Sequence, residues 1–551
     1  MICRKTRMPA PKPKPITASA PDGEHAGGLT RGEIMVILTV GMAALLQVVD
    51  ATIVNVALPT MMGNLGATLD EIGWVVTGYI VTNAIVLPIS GWLGIRFGRR
   101  SYLITCILLF TAASVACGLS PNLWTLVFFR LIQGAAGGAL LPTSQAIIQE
   151  LFPGKRAGMG SSLFGIVVIV GPTIGPPLGG WLTDHMGWRW IFYINLPLGL
   201  LAAFLTTLFV KNHSKDGEDS EAHRRMREAP MDSIGLALLT IWVGCLQFVL
   251  ERGGADDWFS SSTIMTLTLI GGLALPLFVW WEWRQEYPIV DLKLFKRMEL
   301  ANGVLVMGLV GTIVTAGFFF IPFFATNILG MDATATGYLF MPSSLAMGVM
   351  MPIVGALLFK YEARLFMLSG IAITALGMYM LTYLSPQSGY WELFWPLMVR
   401  GIGLPGIFIP LNAMVLGAFK GPSLGQAAGM MNLSRQLGGS LGIAVLSVFF
   451  DHAQDKAYDH LRQFISPLTM GFTQWAHSAQ GAVYGLSSDV GLSHPMNLLA
   501  KEAYFRVKKQ AFVMGFDEVG WYMLIAIALT AIPIFFLKKP QAMETKHMAA
   551  E

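Results

Sequence analysis

A chain of 551 residues that is 54% hydrophobic and only 13% charged, with a mean hydropathy of +0.58, is too apolar for a soluble domain of that length and reads as an integral membrane protein. Its formal net charge of +4 is spread over short segments between apolar runs, so no basic face exists for nucleic acid. Cys3, Cys106, Cys117 and Cys245 are too scattered for a metal motif, and no nucleophile with a base, metal set or phosphate loop stands at a spacing that supports enzyme chemistry.

Residues 1–33 carry RKTR and PKPKP, a composition that cannot bury a core and predicts a disordered basic tail. No short apolar core follows the early charges, so this is not a signal peptide. The first apolar run is long enough to stay in the bilayer uncleaved. From there, fourteen spans are expected near 34–58, 73–95, 101–119, 123–148, 158–182, 190–210, 232–250, 261–283, 301–329, 335–359, 365–384, 392–417, 427–450 and 518–537. A long segment, 451–517, separates the last two, and 538–551 forms a second tail. With the first tail inside, inside segments hold 26 of the 37 lysines and arginines, whereas short outside loops hold only Arg189 and Arg252. This bias predicts both termini in the cytoplasm.

An internal repeat sets the expected architecture. A shift of 264 residues pairs Gly66 with Gly330, Gly73 with Gly337, Pro88 with Pro352, Gly91 with Gly355 and Arg100 with Arg364, and a later block repeats at 271, where Ala157-Gly158-Met159 matches Ala428-Gly429-Met430. This spacing exceeds six spans by about two. The chain therefore reads as all-α, with a six-span bundle at 34–210, two extra spans with linkers at 211–300, and a second six-span bundle at 301–537. Parallel halves of this kind hold substrate between them near the midplane.

The chemistry centres on LQVVDATIVNVALP, where Asp50 stands in an apolar run. A charge at mid-bilayer costs roughly 2.5–3.5 kcal/mol on insertion scales, so it needs an ion, a proton or a partner. Two readings are open, a titrating group and a fixed hydrogen-bonding acid. Its repeat-mate is Ile313 or Val314, so packing symmetry does not demand an acid there. Arg130 and Gln133 lie at i and i+3 on one face of the fourth span, with Gly134 beside them. Arg130 either joins a functional polar cluster or snorkels to the interface. Gln47, Asn55, Asn83, Gln145, Asn302, Asn327 and Asn412 are further intramembrane polar groups, each a cavity-lining candidate or an interhelical hydrogen bonder.

GWLGIRFGRR, with Gly91, Arg96, Gly98, Arg99 and Arg100, supplies glycines for a tight turn and charge for anchoring. GIVVIVGPTIGPPLGG, with Gly165, Gly171, Pro172, Gly175 and Gly179, permits close backbone approach and is expected to form a seam between the halves. In 451–517, Asp451, Asp455 and Asp459 at i, i+4 and i+8 predict that the thirteenth helix continues beyond the bilayer.

These motifs, in this order and on these spans, resemble the major facilitator superfamily. With fourteen spans they are similar to its drug:proton antiporters, and ERGGADDWFSS, YPIVDLKLF and the long outer segment resemble the EmrB type of exporter. The resemblance implies a major facilitator fold in a bacterial inner membrane and export of hydrophobic or amphipathic compounds driven by the proton motive force, with no cofactor. It also implies a tripartite assembly with a periplasmic adaptor, or membrane fusion protein, and an outer-membrane channel. By the same resemblance Asp50 and Arg130 carry proton coupling, and the glycine-rich motifs serve conformational change. One departure stands out: the family's turn usually carries an acid where this chain has Ile95, which leaves open any charge lock to the other half. Within the fold, transport of one metabolite such as a fatty acid or siderophore is the alternative; outside it, a non-transport membrane scaffold.

Overall fold

The computed structural model describes residues 30–152, 156–210, 231–331, 333–358, 360–463, 474 and 495–537. Every regular element among them is helical. Lipid offers the backbone no hydrogen bonds, so apolar segments of this length satisfy their N–H and C=O groups internally.

The first bundle comprises α1 (Arg31–Leu65), α2 (Trp74–Phe97), α3 (Arg99–Gly118), α4 (Leu123–Leu151), α5 (Ala157–His185) and α6 (Asn195–Phe209). The extra pair is α7 (Ser233–Arg252) and α8 (Ser262–Arg284). The second bundle comprises α9 (Met298–Asn327), α10 (Met341–Leu357), α11 (Ala363–Leu381), α12 (Tyr390–Leu416), α13 (Pro422–Arg462) and α14 (Pro495–Leu529). Local chemistry sets the boundaries. α1 starts at a reciprocal cap, in which Thr30 Oγ1 accepts from the Glu33 amide and Glu33 Oε2 accepts from the Thr30 amide, and it ends at Gly66 with φ 63°.

Thirteen helices among the described residues are long and apolar enough to cross a membrane. The fifth expected span is the continuous helix α5. α13 does continue past the apolar run, to Arg462, giving 41 residues or about 60 Å, twice a bilayer core. The last helix needs a correction: it starts at Pro495, not near 518, because the charged stretch AKEAYFRVKKQ is helical but not apolar. Tyr458 and Tyr504 meet at 6.1 Å where the two projecting helices run together. The terminal tails fall outside the described residues apart from residues 30–33, which cap and open α1.

Packing repeats under a shift of eight helices. In the first bundle α1 packs on α4, α5 and α6, and α4 on α2 and α3; in the second α9 packs on α12, α13 and α14, and α12 on α10 and α11. The halves meet through two matching pairs, α2 with α13 and α5 with α10. The extra pair leans on α2 and α13 through α7, and α8 turns Leu269, Leu273 and Leu277 outward at 60%, 67% and 53% exposure, an apolar stripe suited to lipid.

A carboxylate cage in the first bundle and its empty counterpart

Asp50 is fully buried on α1 and accepts three hydrogen bonds. Arg130 Nη1 of α4 donates to Oδ2 at 2.6 Å, while Gln133 Nε2 and Asn195 Nδ2 donate to Oδ1 at 2.7 and 3.0 Å. Arg130 is 1% exposed, so it does not snorkel. Its other donors also have partners: Nη1 reaches Gln133 Oε1 at 2.9 Å, Nε reaches the Val75 carbonyl at 3.1 Å, and the guanidinium lies 4.1 Å from the Tyr79 ring centre. A buried ion pair survives only with such supporting bonds, and removing one partner costs about 3–5 kcal/mol because the other charge is left bare.

Three parts of the cage were not singled out from sequence. Asn195 opens α6 and also donates to Ser114 Oγ of α3 at 3.0 Å, so Asp50 is tied to α3, α4 and α6 at once. Tyr79 supplies the aromatic wall. A lone asparagine or serine in an apolar run has no periodic signature, and only its being intramembrane and polar marks it.

The second bundle holds an inverse arrangement. Arg400 of α12 is 2% exposed, and its Nη2 donates to the carbonyls of Ile313 and Val314 at 2.9 and 3.4 Å, the two candidate repeat-mates of Asp50. A Cβ at Gly317 would stand 2.2 Å from Arg400 Nη2, so that glycine makes room for the guanidinium. One half pairs its arginine with a carboxylate and the other with backbone.

Five of the remaining polar candidates separate into three groups. Gln145, Asn412 and Asn432 form a buried chain between the halves, with Gln145 Nε2 donating to Asn412 Oδ1 and Asn432 Nδ2 to Gln145 Oε1, both at 2.7 Å. Gln47 stays within the first bundle, accepting from the Leu141 amide at 3.1 Å and donating to Asn83 at 3.5 Å. Asn55 is exposed and bonds only the Ala51 carbonyl of its own helix, so it is not part of this constellation.

The glycine motifs are redistributed. Gly171, Gly175 and Gly179 face Val48, Thr52 and Ile53 of α1, so this stripe is chiefly a seam inside the first bundle, a correction to the expected seam between halves. Glycine signals close approach without naming the neighbour. Gly165 alone of that set faces the other half, where a Cβ would lie 2.8 Å from Met351 Sδ. The tightest contacts between halves lie elsewhere: a Cβ at Gly91 would stand 2.5 Å from the Gly425 carbonyl carbon, and one at Gly429 2.6 Å from the Leu87 carbonyl oxygen. Gly134 packs against Tyr79 and Thr82 of α2.

Gly98, at φ 82°, closes α2, and Arg99 then reaches the Gly421 carbonyl in the other half at 2.8 Å and ion-pairs with Glu150 of α4. The cross-half bond therefore needs no acid at the buried position Ile95. Arg100 donates to the Thr207 carbonyl, and Arg96 sits over Trp92. Among the described residues no group of His, Cys, Asp and Glu could hold a metal.

A Major Facilitator Superfamily model matches residues 40–443. The multidrug export protein EmrB of Haemophilus influenzae is 30% identical over 92% of this chain and 96% of its own, and that of Escherichia coli K12 is 31% identical with the same coverages. The fatty acid resistance protein FarB of Neisseria gonorrhoeae is also 31% identical, again over 92% and 96%. The proton:xylose symporter XylE superposes with TM-score 0.58 at 14% identity, covering 93% of this chain and 97% of that one, and the human organic anion transporter MFSD10 with 0.56 at 13%, covering 90% and 99%. At those identities the solved structures speak for the fold alone. The chain belongs to the Major Facilitator Superfamily and is a membrane transporter related to the EmrB multidrug exporters.

Proposed function

We propose that the protein is a proton-coupled antiporter that exports hydrophobic or amphipathic compounds by alternating access. It works in a bacterial inner membrane with both termini in the cytoplasm. The observation that carries this reading is the Asp50 cage: one intramembrane carboxylate, fully buried, held by an arginine that keeps other partners when the carboxylate loses its charge.

A proton on Asp50 removes the anion that ties α1 to Arg130, Gln133 and Asn195. Arg130 then stays bonded to Gln133 Oε1, the Val75 carbonyl and the Tyr79 face, so α1 is released without baring the guanidinium. α1 is seated on the glycine stripe of α5, and α5 packs on α10 of the other half. Movement of α1 is thereby passed to a contact between halves. Each proton descending 100 mV of membrane potential releases about 2.3 kcal/mol, the energy source in place of any cofactor.

The breadth of substrate rests on similarity to the EmrB multidrug exporters, and the likeness to a fatty acid resistance protein supports amphipathic acids as one class within it. The projecting parts of α13 and α14 are the docking surface for a periplasmic adaptor, which with an outer-membrane channel completes a tripartite pump. Energised everted vesicles test the direction. Export predicts that the protein concentrates compound inside them and that the Asp50→Asn variant does not; net movement out of the vesicles identifies an importer instead.

A further inference from the structure

The seam between α7 and α13 holds a second acidic cluster that the Asp50 mechanism does not use. Gln247 Nε2 donates to Glu251 Oε1 at 2.9 Å and to Ser440 Oγ at 2.7 Å, and Ser440 Oγ donates to the same Glu251 Oε1 at 2.8 Å. Gln247 is fully buried, Ser440 is 7% exposed and Glu251 is half-buried. No described residue donates to Glu251 Oε2.

Among the described residues no cation is paired with this carboxylate. Arg252, next in sequence, sends its guanidinium to Asp256 at 3.0 Å and over the Trp74 ring. On α2 the one charged side chain is Arg96 at the far end, and on α8 the charges, Glu282 and Arg284, also lie at the far end. On α13, Arg435 lies about 140° around the helix from Ser440 and Asp451 about 16 Å along it. Among the described residues Glu251 therefore accepts only from neutral donors, Gln247 and Ser440.

One further atom fits a protonated form. Gln247 Oε1 is buried without a hydrogen-bond partner. A proton on Glu251 turns the carboxyl into a donor. Rotation of the Gln247 amide then brings Oε1 to accept from both the Glu251 O–H and the Ser440 hydroxyl, so the same three side chains have a bonded arrangement for each protonation state. Ser440 belongs to the helix that carries Asn432, which bonds Gln145 of the other half.

We propose that Glu251 is a second proton-binding carboxyl and that its protonation, through Ser440, sets how firmly the extra pair holds α13. The inference deepens the antiport reading, because it gives the two extra helices a part in proton coupling.

Infrared titration of the full chain in lipid vesicles, from about pH 8 to about pH 5, tests it without a ligand. Acidified wild type should show a protonated-carboxyl C=O band that Glu251→Gln loses. In Gln247→Leu the band should persist but move to higher frequency, since the acceptor of the Glu251 O–H is gone; this variant also serves if Glu251→Gln does not fold. Asp50→Asn should keep the band. Hydrogen exchange around Ser440, corrected for intrinsic rate, should be as fast in Glu251→Gln at neutral pH as in acidified wild type. Unchanged carboxyl bands in Glu251→Gln, or a band unmoved in Gln247→Leu, overturn the inference while leaving the Asp50 reading intact. A fault in that reading appears instead as transport that survives Asp50→Asn.

Discussion

At the residue scale the protein keeps an ion pair where hydrocarbon makes one expensive, and the bonds around it explain its persistence. Replacing Asp50 by Asn removes the countercharge of Arg130 but leaves its bonds to Gln133, the Val75 carbonyl and the Tyr79 face, so thermal unfolding should show a loss smaller than the about 3–5 kcal/mol of a bared buried charge, whereas Asp50→Asn with Arg130→Gln should recover part of that stability without restoring export. Such a rescue separates the structural part of the pair from its transport part. Asp50, Arg130 and Gln133 were legible in the sequence, because an intramembrane charge is rare and i, i+3 spacing puts two polar groups on one face. Asn195 and Ser114 were not, since their relation to Asp50 exists only after three further helices have packed. Arg400 was visible only as a charge within the expected span 392–417; its contact with the carbonyls of Ile313 and Val314 shows that the repeat preserved the arginine's place but not its acid.

At the scale of elements, two kinds of glycine seam have different consequences. A Cβ at Gly175 would meet Thr52 Oγ1 at 2.1 Å inside one bundle, so Gly175→Val should lower the stability of the protein by about 1–3 kcal/mol as overpacking does, read as an earlier thermal transition. Gly91 and Gly429 face the other half, so Gly91→Val should leave the melting point nearly unchanged and abolish export by keeping α2 and α13 apart, read in vesicle accumulation. Composition announced both seams without distinguishing them. Helix existence was legible nearly throughout because lipid leaves the backbone no alternative. The start of α14 was not, because a helix rich in lysine and glutamate loses its hydropathy signal once it leaves the bilayer.

At the scale of the whole molecule, the matching contacts of the two bundles and the paired seams α2 with α13 and α5 with α10 give each half the same set of contacts with the other, which suits the proposed rocking. The carboxylate proposed as the switch, Asp50, sits in one half only. The parts of α13 and α14 that extend past their apolar runs add a surface to the bundles. Phe505, exposed at 53% beside the Tyr458–Tyr504 contact, is an apolar group on that surface, and changing it to Asp should weaken co-purification with an adaptor while leaving accumulation by everted vesicles intact. The central claim is that Asp50 exchanges a proton for substrate. It is tested most directly by proton release from purified protein on addition of a compound that the wild type concentrates in everted vesicles. The wild type should release protons on saturation, and Asp50→Asn, still binding the compound, should release markedly fewer. Equal release from the two proteins would contradict the account.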